Sequence, residues 1–338
     1  MQITENFPLK NYNSFGISAQ AKYFVAIHTP EEIQELIHEN TIIGLERLIL
    51  GGGSNLLFTR NFDGIIIKNN IKGIELLKSD TDFYYLKAGA GEIWHEFVLH
   101  CIKNNYAGVE NLSLIPGNVG ASPMQNIGAY GVEIKDVFES LEAIEITTGE
   151  IHSFNNSDCN FGYRESVFKN ICKDKYIITS VTYKLRKIPE FNTSYGAIDQ
   201  ELEAMGVKEL SVSAISKAVC NIRSSKLPDP RLIGNAGSFF KNPVVGKSHY
   251  DYLKTVFPGI PAYAQQNETF KLAAGWLIEQ CGWKGFRKND AGVHAKQALV
   301  LVNYGNASGN EIYEISEEIL KSVYLKFEVN LEREVNII

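Results

Sequence analysis

The chain has 338 residues, of which 44% are hydrophobic and 21% are charged, and its formal net charge is -6. This length allows two or three domains with a large core, and the negative charge argues against a nucleic-acid-binding protein, which needs a basic surface. No apolar run is long enough to span a membrane, and the first ten residues, MQITENFPLK, lack the basic and apolar regions of a signal peptide.

Residues 1–70 have the pattern of a small α/β unit. Thr29 followed by Pro30 and two glutamates predicts a helix start, because threonine caps a helix, proline suits its first position and acidic side chains favour its N-terminal end. Residues 48–50 predict a short buried strand that runs directly into residues 51–55, GGGSN. Three glycines after a strand allow a ligand to approach the backbone closely, so this turn is a candidate binding loop.

Residues 71–212 have the pattern of a larger α+β unit. Residues 83–87 predict a strand, and residues 93–102 a helix with one apolar side. Residues 141–154 indicate a hairpin, since two stretches of strand character flank a Thr-Gly turn. Residues 176–186 are rich in β-formers and predict a long strand.

The stretch with the most unusual composition is residues 115–131, IPGNVGASPMQNIGAYG, with four glycines, two prolines and no charge. Glycine and proline both disfavour a helix, and the apolar and aromatic residues among them disfavour a disordered linker. The remaining interpretation is an ordered loop whose backbone, with few side chains in the way, lies close to a ligand. Successive backbone N–H groups in such a loop form a concavity for anions, so we interpret the loop as the binding site for the diphosphate of a large cofactor.

Residues 213–328 predict a third unit that begins with strong breakers, PDP and GNAG. A helix is expected after Thr269, a strand over residues 298–302, and a final amphipathic helix over residues 312–323. The tail, residues 329–338, begins with the alternation of a strand, and we expect it to return to the site formed by the earlier units.

Several familiar motifs are incomplete. Residues 246–248 match the end of a phosphate-binding P-loop, but Lys241 occupies the position of its first glycine. His95 and His100 are one residue too far apart for HExxH, so we interpret both as helix-surface residues. Residues 89–91 do not continue to GxGxxG, and no serine has the GxSxG setting of a nucleophile elbow.

Three polar stretches carry candidate catalytic groups. In FGYRES, Arg164 suits a carboxylate because its planar fork donates two parallel hydrogen bonds, although a surface ion pair with Glu165 is an equal alternative. Ser238 follows a glycine and precedes two phenylalanines, so its hydroxyl is a candidate for a pocket shielded from water, while a turn serine is the commoner case. Residues 332–334, Glu-Arg-Glu, normally form only a solvated strand face.

In their order along the chain, these stretches resemble the UDP-N-acetylenolpyruvoylglucosamine reductase (MurB) family. The resemblance covers essentially the whole chain and rests on long motifs: GGGSN, IPG-x-VGASP-x-QNIGAYG, GYRES-x-FK, KLPDP, GNAGSFFKNP, KLAAGWLI, QALVLVN and LE-x-EV. KLPDP, GSFFKNP and the tyrosine in PAYAQ are similar to the longer of the family's two types.

The resemblance implies an α+β, three-domain FAD-binding fold of the vanillyl-alcohol-oxidase (PCMH) type with a C-terminal substrate domain. Two domains, residues 1–70 and 71–212, hold FAD non-covalently, and residues 213–328 cover the substrate. The implied cofactor-binding residues come from the two glycine loops: Gly51, Gly52, Gly53, Ser54, Asn55, Leu56, Pro116, Gly117, Val119, Gly120, Ala121, Ser122, Gln125, Asn126, Ile127, Gly128, Ala129 and Gly131.

The resemblance also implies the reaction, in which NADPH reduces FAD and UDP-N-acetylglucosamine enolpyruvate becomes UDP-N-acetylmuramate. Hydride goes from flavin N5 to C3 of the enolpyruvyl group, and negative charge develops on C2 and the carboxylate. By similarity, Arg164 binds the carboxylate, Glu334 helps to polarise it, and Ser238 protonates C2. Serine is a weak acid, but the enolate is a strong base.

Further substrate contacts are carried over by position: Tyr130, Tyr195, Arg223, Lys226, Asn242, Tyr263 on a mobile loop, and Gln297. Family members of the longer type often have LEPEV in the tail, whereas this chain has Arg333 in place of the proline. That departure lies next to Glu334.

The five cysteines are scattered singly, so we expect free thiols, a cytoplasmic protein and no metal site. No coiled-coil heptads are visible, and a monomer is expected. Two alternatives stay open: a flavin oxidase or dehydrogenase with another substrate, which often tethers flavin through His or Cys, and a non-catalytic UDP-sugar or flavin-binding protein, which needs no catalytic residues.

Overall fold

The computed structural model describes residues 1–265 and 267–338, with every side chain in these ranges except that of Thr41. The strands, in chain order, are β1 Thr4–Pro8, β2 Gln20–Ile27, β3 Arg47–Leu50, β4 Leu56–Leu57, β5 Phe62–Asn69, β6 Ile74–Ser79, β7 Phe83–Gly89, β8 Gly128–Ala129, β9 Val132–Glu133, β10 Phe138–Glu145, β11 Ile151–Asn155, β12 Tyr176–Arg186, β13 Gly234–Asn235, β14 Val244–Gly246, β15 Ala262–Ala264, β16 Thr269–Leu272, β17 Arg287–Lys288, β18 Ala291–Val293, β19 Leu301–Asn303 and β20 Asn336–Ile337. The helices are α1 Pro30–Ile37, α2 Trp94–Lys103, α3 Asn156–Cys159, α4 Ile198–Ala204, α5 Val212–Lys226, α6 Lys247–Val256, α7 Ala274–Gln280 and α8 Gly309–Phe327.

The chain divides into two compact units. The first comprises residues 1–7, 21–52 and 63–225, and the second comprises residues 8–20, 53–62 and 226–338. Each unit contains both sheet and helix, so the predicted α+β class is confirmed. All five cysteines are free, as predicted. Within the described residues, no helix combines the length and the apolar character needed to cross a membrane.

One sheet of the first unit has the strand order β1-β2-β5-β3, with β3 and β5 parallel. Helix α1 begins as its sequence predicts: Thr29 is the N-cap, its side chain accepts a hydrogen bond from the N–H of Glu32, and Pro30 occupies the first position. Ile33 and Leu36 are fully buried and pack in one core with apolar residues of β2 and β5.

The other large sheet of the first unit has the strand order β11-β10-β12-β7-β6, and its neighbouring strands are antiparallel. The predicted hairpin is the pair β10–β11, and the predicted long strand is β12. Trp94 and Phe97 of α2 pack with Tyr183 of β12 in its core, with ring centroids 4.7 to 5.8 Å apart. This packing fixes α2 against the sheet, beside the predicted cofactor loop.

The second unit has sheets of order β13-β19-β18-β17 and β14-β16-β15. Helix α8 starts with a capping box in which Ser308 and Glu311 each accept a backbone N–H from the other, and its buried face includes the predicted Ile312, Ile315 and Ile319. Strand β20 pairs in parallel with β4, which directly follows the GGGSN turn.

Several expected boundaries were wrong. The helix expected after Thr269 is α7, but it begins only at Ala274, because residues 269–272 form β16 and pair with β14 on one side and β15 on the other. The predicted strand at residues 298–302 is β19, Leu301–Asn303, and in the tail only Asn336–Ile337 forms a strand. These differences arise from long-range pairing, which local composition does not encode.

The units also differ from the predicted segment boundaries. Helix α5 lies almost entirely in the first unit, although the sequence placed it in the C-terminal domain, and residues 8–20 and 53–62 cluster with the second unit. The expected boundary at residue 70 falls between two sheets of the first unit. The division into three domains stays a prediction.

Candidate active site

Gly52 of the GGGSN loop lies close to the backbone of the second glycine loop, residues 115–131. A Cβ placed on Gly52 would lie 2.9 Å from the Cα of Gly117 and 3.0 Å from the side-chain oxygen of Asn118. Any side chain at position 52 would therefore displace the loop at residues 117–118. Glycine at this position allows the close approach and leaves a strip of backbone without side chains.

The first half of the loop at residues 115–131 lies along the connection between β7 and α2. The backbone N–H groups of Val119 and Gly120 donate to the carbonyls of Glu92 and Ala90, at 2.8 and 2.9 Å. The N–H groups of residues 121 and 122 close a short 3-10 turn. All four N–H groups are therefore already used inside the protein. A diphosphate bound here would take its hydrogen bonds from other groups of the two loops, and the role of residues 115–131 as the diphosphate site stays a prediction.

The second half of the loop is tied to the GYRES motif by buried polar side chains. Asn126 is fully buried with φ at 43°, and its amide donates to the carbonyl of Gly162 at 3.0 Å. Ser166, also buried, donates its hydroxyl to the carbonyl of Met124 at 2.6 Å. Two motifs almost forty residues apart in sequence thus form one structural element.

Arg164 completes this element. Its guanidinium donates to the carbonyl of Gly128 at 2.8 Å, and its own φ is 55°, a left-handed conformation uncommon for residues other than glycine. Such conformations persist where the surroundings hold them, and they concentrate at functional sites. Arg164, which the sequence analysis singled out, is therefore bonded to the glycine loop in the structure.

Arg164, Arg223 and Tyr130 share one electrostatic environment in the first unit. Burial lowers the pKa of Arg223, and the charge of Arg164 lowers it further. Burial raises the pKa of the Tyr130 hydroxyl, while Arg223 opposes that shift. The two positive charges repel each other, and a bound anion would relieve the repulsion. The cluster therefore suits a carboxylate or a phosphate.

In the second unit, the surroundings of Ser238 differ from the expectation. Ser238 is exposed rather than shielded, whereas the next two residues, Phe239 and Phe240, are buried. Gly237 turns the chain with φ at 71°, and the two phenyl rings enter the core, which leaves the serine on the outer side of the turn. The prediction of a shielded hydroxyl is thus wrong for this structure.

The segment that carries Ser238 pairs with the segment that carries Glu334. The N–H of Glu334 donates to the carbonyl of Phe239, and the N–H of Lys241 donates to the carbonyl of Glu332, both at 2.8 Å. This short antiparallel ladder brings two predicted catalytic residues into adjacent stretches of backbone.

The tail around Glu334 is held at further points. The side-chain amide of Asn55, in the GGGSN turn, donates to the carbonyl of Glu334 at 3.1 Å. Arg333 donates to the hydroxyl of Ser316 at 2.9 Å and to the carboxylate of Glu317 at 2.5 Å, both on α8. Arginine in place of the family's proline therefore anchors the tail to a helix by side-chain bonds.

Two other predicted substrate residues have structural partners in the second unit. The side-chain oxygen of Asn242 accepts a hydrogen bond from the N–H of Ala274 at 3.0 Å, which helps to start α7. The side-chain oxygen of Gln297 accepts one from the N–H of Leu299 at 3.3 Å. Both side chains are half-buried and stabilise the local backbone. Any contact with substrate would be a second role for each residue.

The remaining predicted substrate residues are on the surface. Tyr195 and Tyr263 are each 51% exposed, and Lys226 is exposed. Tyr263 was expected on a loop, but it lies in β15 and pairs with Lys271 of β16. As β15 is an edge of its three-stranded sheet, one side of this strand is unpaired in the sheet.

One residue near the site was misinterpreted. His95 was assigned to a helix surface, but it is half-buried, and its Nδ1 accepts a hydrogen bond from the N–H of Leu114 at 2.9 Å. The sequence signal that could have predicted this partial burial is the position of His95 next to Trp94, the first buried residue of α2. Periodicity alone did not reveal the bond, because the partner is a backbone group 19 residues away.

Comparison with known proteins adds an independent finding. A model of an FAD binding domain matches residues 21–155, and a model of the UDP-N-acetylenolpyruvoylglucosamine reductase C-terminal domain matches residues 229–338. The first range includes both glycine loops, and the second includes Ser238 and Glu334.

Curated relatives match over the full length. The chain is 53% identical to UDP-N-acetylenolpyruvoylglucosamine reductase of Flavobacterium johnsoniae, with 100% of both chains covered. It is 51% identical to the reductase of Amoebophilus asiaticus, again with 100% of both covered, and 46% identical to that of Pseudomonas fluorescens, with 100% of this chain and 99% of the relative covered.

A solved structure shows the same fold. The crystal structure of UDP-N-acetylenolpyruvylglucosamine reductase from Thermus caldophilus superposes with a TM-score of 0.67 at 22% identity, covering 99% of this chain and 98% of that chain.

Proposed function

The chain belongs to the UDP-N-acetylenolpyruvoylglucosamine reductase family, and we propose that it uses NADPH to convert UDP-N-acetylglucosamine enolpyruvate to UDP-N-acetylmuramate. As a member of this family it is an FAD-dependent oxidoreductase of peptidoglycan precursor synthesis, and so serves cell-wall formation, cell shape and division. The observation that carries the proposal is the placement of Arg164, whose guanidinium bonds to Gly128 in the glycine loop.

The two glycine loops are the proposed FAD site. The fit is supported by Gly52, where a Cβ would meet the backbone of Gly117 at 2.9 Å, so that the loops present main chain rather than side chains. The chemistry that FAD supplies when bound is hydride transfer, from NADPH and then, through N5, to C3 of the enolpyruvyl group. The proposed ligands are residues 51–56 together with Pro116, Gly117, Val119, Gly120, Ala121, Ser122, Gln125, Asn126, Ile127, Gly128, Ala129 and Gly131.

Arg164 binds the carboxylate of the enolpyruvyl group in this proposal. Its guanidinium donates to the carbonyl of Gly128, so the fork is oriented before substrate binds. Positive charge in a fixed position stabilises the negative charge that develops on C2 and the carboxylate. Arg223 and Tyr130 lie in the same electrostatic environment and contribute to holding the anionic substrate.

Ser238 and Glu334 supply the proton chemistry in this proposal. Ser238 gives its hydroxyl proton to C2, which balances the hydride added at C3 and leaves a saturated product. Glu334 helps to polarise the carboxylate as a neutral acid or with a shared proton. The ladder between residues 239–241 and 332–334 supports a common role for the two segments.

The other assigned substrate contacts rest on position in the family. Lys226, Tyr195 and Tyr263 are exposed and accessible to the nucleotide part of the substrate. Asn242 and Gln297 also stabilise the local backbone, so their replacement affects structure as well as binding. The cytoplasmic location and the monomeric state expected from the sequence stay predictions.

Anaerobic stopped-flow absorbance tests the proposal directly. NADPH is expected to bleach the oxidised flavin band, and UDP-N-acetylglucosamine enolpyruvate to restore it. Bleaching without recovery would contradict the substrate and favour another flavin enzyme. Recovery by oxygen alone would point to an oxidase. A protein that cannot be reconstituted with FAD would contradict the assignment of the glycine loops.

A further inference from the structure

The residue that precedes the proposed FAD loop has a strained backbone. Leu114 has φ at 58°, although leucine has no side-chain polar group to favour the left-handed region. Residues in such conformations persist only where their surroundings hold them. Leu114 sets the direction in which residues 115–131 leave the preceding helical turn, so whatever holds it also sets the loop.

Two side chains hold the polar backbone groups of Leu114 from different helices. The N–H of Leu114 donates to Nδ1 of His95, on α2, at 2.9 Å. The carbonyl of Leu114 accepts a hydrogen bond from Nε of Arg223, on α5, at 3.2 Å. Both backbone groups of the strained residue are thus satisfied by side chains rather than by regular secondary structure.

The neighbouring residues are fixed by the same two helices. The indole N–H of Trp94 donates to the carbonyl of Leu112 at 2.8 Å, and the backbone N–H of Trp94 donates to the carbonyl of Gly117 at 3.0 Å. The hydroxyls of Ser113 and Ser216, on α5, are 2.8 Å apart. Of these contacts with the entrance to the loop, the one made by His95 is the one that a proton can abolish near neutral pH.

We propose that His95 is a positioning residue for FAD, which sets the cofactor loop through the backbone of Leu114 only while its Nδ1 is unprotonated. The inference rests on the proposed role of residues 115–131 in FAD binding. It concerns a histidine outside the residues proposed to bind the cofactor and the substrate.

The charged surroundings of His95 support this dependence on protonation. Burial lowers the pKa of His95; the negative charge of Glu96 raises it, and the positive charge of Arg223 lowers it. Nδ1 accepts a hydrogen bond, so the neutral ring carries its proton on Nε2. A doubly protonated ring cannot accept the N–H of Leu114, and it repels Arg223, which holds the other side of the same residue.

The sign of the pH effect follows from these groups. Since the folded protein disfavours the protonated ring, the contact is complete above the usual pKa of histidine and is lost as pH falls through the lowered pKa of His95. The loop is therefore expected to hold FAD firmly at neutral pH and to release it faster on acidification.

Release of FAD from the diluted holoenzyme, followed by the rise in flavin fluorescence, tests the proposal between about pH 5 and about pH 8. His95→Ala removes the acceptor and is expected to speed release about tenfold at neutral pH, because a buried N–H is left without its partner. His95→Asn keeps an oxygen near the position of Nδ1 but does not titrate. It is expected to release FAD within about threefold of the wild-type rate at neutral pH and to flatten the acidic rise.

His100→Ala is the matched control, since His100 lies on the same helix and its ring lies beside that of Tyr106. It should behave as wild type at every pH. A release rate of His95→Ala equal to that of wild type would overturn the proposal. If that variant does not fold, an acidic rise in His95→Asn as steep as in wild type overturns it. Wild-type protein unable to bind FAD would instead overturn the assignment of the loop itself.

Discussion

The element that carries Arg164 and the ladder that carries Ser238 and Glu334 are built in opposite ways. In the first unit, buried side chains tie the GYRES motif to the glycine loop, and two of the residues involved, Asn126 and Arg164, have left-handed backbones. In the second unit, main-chain hydrogen bonds join residues 239–241 to 332–334. Individual side chains thus hold the two motifs together in the first case, whereas in the second main-chain hydrogen bonds join the two segments.

This difference predicts where single substitutions act. In the ladder of the second unit, replacing a catalytic side chain should remove chemistry and leave structure intact. In the element of the first unit, replacing a side chain should alter stability or cofactor binding as well as turnover. Four substitutions separate these outcomes.

Ser238→Ala is expected to have the largest effect. Turnover should fall about a thousandfold, because a positioned proton donor contributes on that order, while FAD binding and flavin reduction by NADPH stay unchanged. Steady-state kinetics and single-turnover flavin bleaching measure the two parts separately. Ser248→Ala, at another exposed serine of the second unit, is the control. Normal turnover in Ser238→Ala would remove the serine from the mechanism.

Arg164→Lys is expected to lower kcat/KM about a hundredfold, because lysine keeps the charge but not the planar fork that bonds to Gly128 and is proposed to bind the substrate carboxylate. Flavin bleaching by NADPH should continue at a similar rate. Arg231→Lys is the control, since Arg231 is exposed and pairs with Asp229 on the surface. Equal losses in both variants would show that the effect is not specific to the site.

Asn126→Ala is expected to lower the free energy of unfolding by about 2 kcal/mol, since a fully buried amide with several hydrogen bonds and a left-handed backbone is lost. FAD should also dissociate faster. Denaturant unfolding of the protein measures the first effect. Asn156→Ala removes one exposed amide bond and should change stability by less than about 0.5 kcal/mol. If the Asn126→Ala variant is as stable as wild type and binds FAD normally, then buried side chains do not determine the geometry of the first-unit element, and the difference from the second-unit ladder is contradicted.

Arg333→Ala is expected to have the smallest effect, about a fivefold loss of kcat/KM, because the backbone ladder and Asn55 still hold Glu334. Arg287→Ala is the control, because Arg287, like Arg333, lies over a tyrosine ring and forms an ion pair in the second unit. A loss as large as that of Ser238→Ala would mean that Arg333 takes part in the chemistry rather than in anchoring the tail.

Local signals predicted much of the fold. Thr29 and Pro30 define the start of α1, the Thr-Gly turn defines the β10–β11 hairpin, and the β-formers at residues 176–186 define β12. In each case the interactions that form the element lie within a few residues of one another, or the composition alone is decisive. The glycine loops were found for the same reason, since their composition excludes a helix and permits close approach.

Long-range partners were not predictable in this way. The use of the loop's N–H groups by the β7–α2 connection, the bond between His95 and Leu114, and the strand at residues 269–272 all depend on residues far along the chain or on pairing register. The family resemblance supplied residue roles but not these contacts. It also led to the expectation of a loop at Tyr263, where the structure has β15.

The parallel pairing of β4 with β20 has a consequence for how the protein is made. The amide of Asn55 and the carbonyl of Glu334 are 279 residues apart in sequence. At typical rates of translation, roughly 15 to 60 s pass between the synthesis of β4 and that of its partner strand β20. During this time three apolar side chains that are buried in the finished fold lack their partner: Leu56, Leu57 and Phe58. We therefore expect chaperones to bind this apolar segment on the nascent chain. We also expect the pairing of β4 with β20 to form late in folding.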